Sequence, residues 1–285
     1  MEENLQQVVF SYNYRLPIKI NPGPVSYKVL VALFNGDKVD TIKYEVRMRW
    51  IAKDNISYIA IVDRSEKVYI NNSEPDLVSE ELTAMVSAVL YPLALSVDTT
   101  GKCTGICNFP EIRKRWDAKK QEIRKVYTGA WLEKFLRLND KAFQDKDALV
   151  RRVQKDLFIS AYFQSFYKSY TEKLMIENRV AVPFFSDPEK LIYQVNQQID
   201  KYIDEKQLIR IEMKGSRSAP PDSPATKNKP VAGGFFHGEF YLESQYNTIQ
   251  ALKLHYTPDT GQKKKAMVIV TGNPVEKPRK PPELP

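Results

Sequence analysis

The run from Ile42 to Trp50 limits the fold more than any other part of the chain. Ile42, Tyr44, Val46, Met48 and Trp50 alternate with Lys43, Glu45, Arg47 and Arg49. Successive side chains of a strand point to opposite faces, so this segment belongs to a sheet with one dry and one wet side. That is the signature of an antiparallel sheet, since parallel sheets are buried on both faces. The same period of two runs through Val8, Phe10, Tyr12, Tyr14 and Leu16, and through Tyr27, Val29, Val31 and Leu33. Asn21-Pro22-Gly23-Pro24, Asn35-Gly36-Asp37 and Lys53-Asp54-Asn55 read as turns, and Ile56 to Val62 returns the chain. The expectation is an antiparallel meander of about four strands.

The period then changes. Leu77, Leu82, Met85, Val86, Val89 and Leu90 predict a helix within 73–91, with Glu80 and Glu81 near its positive end and Pro92 closing it. Leu93, Leu95 and Val97 alternate into Asp98-Thr99-Thr100-Gly101, and Cys103 to Cys107 runs back as a second hairpin. From Phe109 to about Tyr170 the apolar spacing is helical, bent at Gly129 and stopped at Asn139-Asp140. Val180 to Phe185 reads as a strand. Ser186-Asp187-Pro188-Glu189 fits a capping box, and Leu191, Val195, Ile199 and Ile203 would share one helix face. The β-rich Leu-Ile-Tyr-Gln-Val makes a strand at 191–195 the alternative, and helix is preferred over 187–203. Leu208–Ile211, Phe235–Glu243, Thr248–Tyr256 and Ala266–Val270 read as strands, with turns at Ser244–Asn247 and Pro258–Gly261.

These segments organise as an α+β domain over 1–215, a Pro/Ser-rich loop over 216–234, C-terminal strands over 235–271 and a disordered or polyproline tail over 272–285. The late strands are too few to be stable alone, so they are expected to pair with the earlier sheet or with Leu208–Ile211. The predicted fold class is α+β: an antiparallel sheet, flat or curved, from N- and C-terminal strands, with helices from the middle of the chain on one face.

Bulk properties fit a globular protein of 285 residues, 42% hydrophobic and 27% charged, with a net charge of +8. The acidic start Met1-Glu2-Glu3-Asn4 is followed by no apolar signal core, and no apolar run approaches the ~18 residues of a membrane span. The expected location is cytoplasmic, or periplasmic if a signal has been removed. Cys103 and Cys107 are spaced C-x3-C, which fits neither a redox C-x-x-C nor a zinc ribbon, and reads as two small hairpin residues.

No hydrolase elbow, phosphate-binding glycine loop or H-E-x-x-H motif is present. His255 reads as an ordinary strand histidine; His237 and Glu239, two apart on one strand face, have the spacing of a catalytic pair, and the non-catalytic reading is preferred. No catalytic residue, metal or cofactor is therefore assigned. Two features remain. Glu111 to Lys125 carries a basic excess, with Arg113, Lys114, Lys120 and Arg124 as a candidate basic patch; the solvated side of an amphipathic helix is the simpler reading. Phe158, Tyr162, Phe166 and Tyr170 recur every four residues, as an aromatic wall for a ligand or partner or as a helix packed on the sheet.

Leu95-Ser96-Val97-Asp98, Gly101, Ile106-Cys107-Asn108, Glu111-Ile112 and Trp116, with the strand Gly238–Glu243, resemble a pattern in uncharacterised Bacteroidota α+β proteins. Many of those are envelope proteins with export signals. The resemblance covers about a third of the chain and implies no activity and no site residue.

The function expected from sequence is a non-catalytic binding or assembly module with a protein partner or homo-oligomer, within a larger bacterial complex. The alternatives are a carrier of lipid or another apolar ligand between sheet and aromatic helix, and a basic nucleic-acid-binding protein, which the aromatic spacing disfavours.

Overall fold

The computed structural model describes residues 6–54, 56–184, 189–218, 233–258 and 264–273. It contains eleven strands: β1 (Val25–Asn35), β2 (Lys38–Ala52), β3 (Ser57–Ile70), β4 (Leu93–Asp98), β5 (Cys103–Ile106), β6 (Met175–Val182), β7 (Leu191–Ile199), β8 (Leu208–Arg217), β9 (Phe235–Glu243), β10 (Ile249–Tyr256) and β11 (Lys264–Gly272). They form one sheet in the order β5-β4-β3-β2-β1-β11-β10-β9-β8-β7-β6. The expected union of N- and C-terminal strands occurs at β1, which pairs antiparallel with β11 through nine residue pairs, Tyr27 opposite Gly272 to Asn35 opposite Lys264.

The alternation that predicted the strands also assigns their faces. Val25, Tyr27, Val29 and Val31 of β1 and Val46 and Met48 of β2 are buried on the inner face. Leu252, Leu254 and Tyr256 of β10 and Ala266, Val268 and Val270 of β11 continue that layer. Five helices from the middle of the chain cover it: α1 (Val78–Ala88), α2 (Phe109–Val126), α3 (Ala130–Gln144), α4 (Lys146–Val153) and α5 (Leu157–Tyr162). Trp116 of α2 stacks on Phe143 of α3 at 4.8 Å, and its indole N–H donates to Asp140 Oδ1 at 2.7 Å. No helix among the described residues is long and apolar enough to cross a membrane.

Besides the helix stop expected at Asn139-Asp140, which α3 runs through to Gln144, three local expectations fail. Residues 8–16 form no strand of the main sheet, only isolated bridges and a short 3-10 turn at Tyr12–Tyr14. Leu191–Ile199 is strand β7 rather than helix, paired with β6 on one side and β8 on the other. Leu191, Val195 and Ile199 fall on one face under either period, so the spacing fits both and the neighbouring strands decide. The capping box lies outside the described residues apart from Glu189, as do most of the 216–234 loop and of the tail, and three residues of the Pro258–Gly261 turn.

The third difference is the helix expected to reach Tyr170, which ends at Tyr162. Beyond it the backbone carbonyls find partners on the sheet. Asn178 Nδ2 donates to the Ser165 carbonyl at 3.1 Å, and Gln197 Nε2 to the Phe166 carbonyl at 3.2 Å. Tyr167 N–H donates to the Thr100 carbonyl at 3.1 Å. These bonds replace the helical ladder, which an interior backbone must otherwise complete.

Candidate ligand-binding site

A pocket of about 490 Å³ opens between α1 and the inner face of β1–β3. Its origin is legible in α1. Leu82 and Val86 are buried and anchor the helix. Ser79, Thr83 and Ser87, four residues apart, and Ala84 beside them turn short side chains toward the pocket. Short side chains leave a gap where larger ones would close onto the sheet. Val31, Ile42, Val68, Ile70 and Leu157 make apolar walls.

The pocket also holds a guanidinium. Arg64 lies opposite Val46 in β3 and shares the inner face with Val62. A two-residue bulge follows it, since Tyr44 pairs with Val68 while Val46 pairs with Arg64. Ser65 Oγ accepts from the Glu45 N–H at 3.1 Å and satisfies a donor the bulge would leave open. The Arg64 guanidinium carbon lies 4.9 Å from the Tyr91 ring centroid and 5.8 Å from that of Tyr44. Its Nη2 donates to Ser87 Oγ at 3.0 Å, while its Nε is buried without a hydrogen-bond partner. No ion pair involving Arg64 forms among the described residues.

Asp156 lies on the other side of the pocket as the N-cap of α5, where its Oδ1 accepts from the Ile159 N–H at 2.9 Å. Burial pushes its carboxyl above the ordinary range, against the pull of the Ile159 N–H and of Arg64. Burial, and then the Asp156 carboxyl, push the Tyr44 and Tyr91 phenols up, so both remain neutral. Glu80 and Lys155 also line the pocket, so the site combines apolar walls with both charge signs, and the donors of the Arg64 guanidinium are only partly used. Such a site can take apolar surface and one acidic group together.

The residues expected from sequence lie elsewhere. Phe158, Tyr162, Phe166 and Tyr170 are all in the interior. Phe166 packs on Phe240 at 5.2 Å between ring centroids, and the Tyr170 hydroxyl donates to the Phe166 carbonyl at 3.1 Å. In the basic segment, Arg113 and Lys114 are exposed on α2. Lys120 is paired with Asp140 at 2.8 Å, and Arg124 grips Glu133 through two bonds of 3.0 and 2.9 Å. Half of that patch is thus neutralised within the α2–α3 hairpin. Cys103 is buried, Cys107 is exposed, and both are free.

His237 and Glu239 do share the outer sheet face. His237 Nε2 is 3.1 Å from Glu212 Oε1, and Arg210 donates to both Glu212 and Glu239 at 2.8 Å. The two carboxylates are therefore committed to an ion-pair network.

Arg64 and Asp156 were not found from sequence. Arg64 sits in Asp63-Arg64-Ser65-Glu66-Lys67, which reads as solvated. The one available signal was the small polar row on α1, beside its apolar row.

No family model matches the chain, and no curated protein matches it. A solved domain from Vibrio parahaemolyticus, provisionally assigned as an outer membrane lipoprotein-sorting protein, aligns over 90% of this chain and 88% of its own, at 7% identity and a TM-score of 0.22. A likeness that low carries no argument about function.

Proposed function

We propose that this protein is a non-catalytic binding protein whose cargo is an apolar molecule with an acidic end, held between α1 and β1–β3. The observation that supports this reading is the Arg64 guanidinium, with its Nε unpartnered, beside walls of Val31, Ile42, Val68, Ile70 and Leu157. A volume of about 490 Å³ lies in the range typical of small-molecule sites. A half-buried cation with unfilled donors favours an anion over a neutral group of the same shape.

The test is a binding titration of the full chain with laurate and with dodecanol, which share a chain length and differ in the head group. Laurate is expected to bind at least tenfold more tightly, and Arg64→Met to erase the difference. Equal affinities in the wild type, or no saturable binding of either, would overturn the reading.

A self-associating protein is the second reading, favoured by Trp131 and Leu138. They lie seven residues apart on α3, 50% and 60% exposed. Sedimentation across a hundredfold range of concentration tests it. A monomer throughout, unchanged in Trp131→Ser/Leu138→Ser, would remove it.

A further inference from the structure

A second pocket, of about 230 Å³, lies between the two edges of the sheet. Lys102 and Cys103 approach from the β5 edge, and Arg179 and Ala181 from the β6 edge. Gln154, Ile159, Ser160 and the chain after α5 fill the space between. Lys190, just before β7, completes the wall.

Three cations thus converge, and no Asp or Glu is among the described residues that line the pocket. The side chains of Lys102, Arg179 and Lys190 make no ion pair or hydrogen bond among the described residues. Burial, and then the neighbouring Lys102, push the Lys190 ammonium down. A polar group inside also lacks a partner. Ser160 lines the pocket, and its Oγ is buried without a hydrogen bond. Lys102 and Arg179 are exposed and Lys190 is half-buried, so solvent screens part of their mutual repulsion and leaves the rest. An anion relieves both this repulsion and the unused hydroxyl.

We propose that this pocket binds a phosphate-class oxyanion, free or as the head group of a lipid. Arg179 supplies a planar fork, Lys102 and Lys190 supply point charges, and Ser160 supplies a hydroxyl donor. The site is separate from the α1 pocket and does not depend on the reading proposed for it.

The experiment is calorimetric titration of the full chain with inorganic phosphate at low ionic strength, beside Arg179→Gln/Lys190→Gln and Ser160→Ala. The wild type is expected to saturate, the double variant to bind at least tenfold more weakly, and Ser160→Ala to bind severalfold more weakly. Matching thermal melts show that the variants fold. A second arm uses vesicles of phosphatidate in phosphatidylcholine. Retention that phosphate competes away identifies a head group as the source, whereas phosphate binding without retention identifies the free ion. If neither probe binds the wild type better than the double variant, the proposal is overturned. Laurate binding in Arg179→Gln/Lys190→Gln is expected to match the wild type, which separates this site from the α1 pocket.

Discussion

The Tyr27 hydroxyl on β1 and the Tyr162 hydroxyl on α5 lie 3.0 Å apart in the interior, although 135 residues separate them in sequence. Tyr27 also donates to the Ile249 carbonyl at 2.8 Å. Its single proton is used there, so Tyr162 is the donor within the pair. Two hydroxyls thereby join α5, β1 and β10. Tyr162→Phe removes one donor and is expected to cost ~1 kcal/mol. Tyr27→Phe strands both the Tyr162 O–H and the Ile249 carbonyl, and is expected to cost about 2–3 kcal/mol. Urea unfolding of the two single variants and the double variant checks this; the double should cost less than the sum.

Asp156 gives a pH dependence with a defined sign. Its folded-state carboxyl lies above the unfolded value of 3.8. The protonated form therefore favours folding, and that contribution is full below about pH 3.8 and lost as pH rises through the folded value. Asp156→Asn keeps a capping oxygen and cannot ionise. Its stability relative to the wild type is expected to increase from pH 4 to pH 7, whereas Asp156→Ala also loses the cap, at about 1 kcal/mol. Denaturant melts of all three proteins across that range provide the measurement.

Glu212 behaves in the opposite way. Burial pushes its carboxyl up, but Lys214, His237 and Arg210 outweigh this and hold it at about 2. Its contribution is present above the unfolded value of 4.5 and is lost as pH falls toward about 2. Glu212→Gln is expected to cost ~1 kcal/mol at pH 6, after allowance for solvent screening on the outer sheet face. That difference should disappear near pH 2, as read from thermal melts along the acid limb.

Filling the gap beneath α1 separates ligand binding from folding. Ala84→Phe places a ring where short side chains leave the pocket open. Laurate affinity is expected to fall at least tenfold, while stability changes by less than about 1.5 kcal/mol because the ring enters existing space. A parallel titration and melt decide between this and a pocket that closes in solution.

Gly215 tests the packing of β7 against β8. A Cβ built there would lie 1.9 Å from the Gln194 carbonyl oxygen and 2.6 Å from Val195 Cα. Both are backbone atoms and cannot rotate away. Gly215→Ala is expected to destabilise by about 2–3 kcal/mol, measured by urea unfolding.

The sequence by itself determined the sheet and its two faces. Period-two alternation from Tyr27 to Trp50 marks which side chains are dry, and the same signal in 235–270 marks strands that need a larger sheet. Trp116 and Ile123 likewise announced the buried row of α2, because an amphipathic helix reports its own covered face. Tertiary structure alone decided the rest. Leu191–Ile199 became a strand because β6 and β8 flank it, and the chain after Tyr162 left the helix because Asn178 and Gln197 take its carbonyls. The candidate site depends on the same kind of long-range information. Arg64 stands among charged neighbours in sequence, and only the covering of β3 by α1 and Asp156 turns an ordinary strand arginine into a half-buried cation with a donor to spare. Burial is a property of what packs over a residue, and no local pattern encodes that.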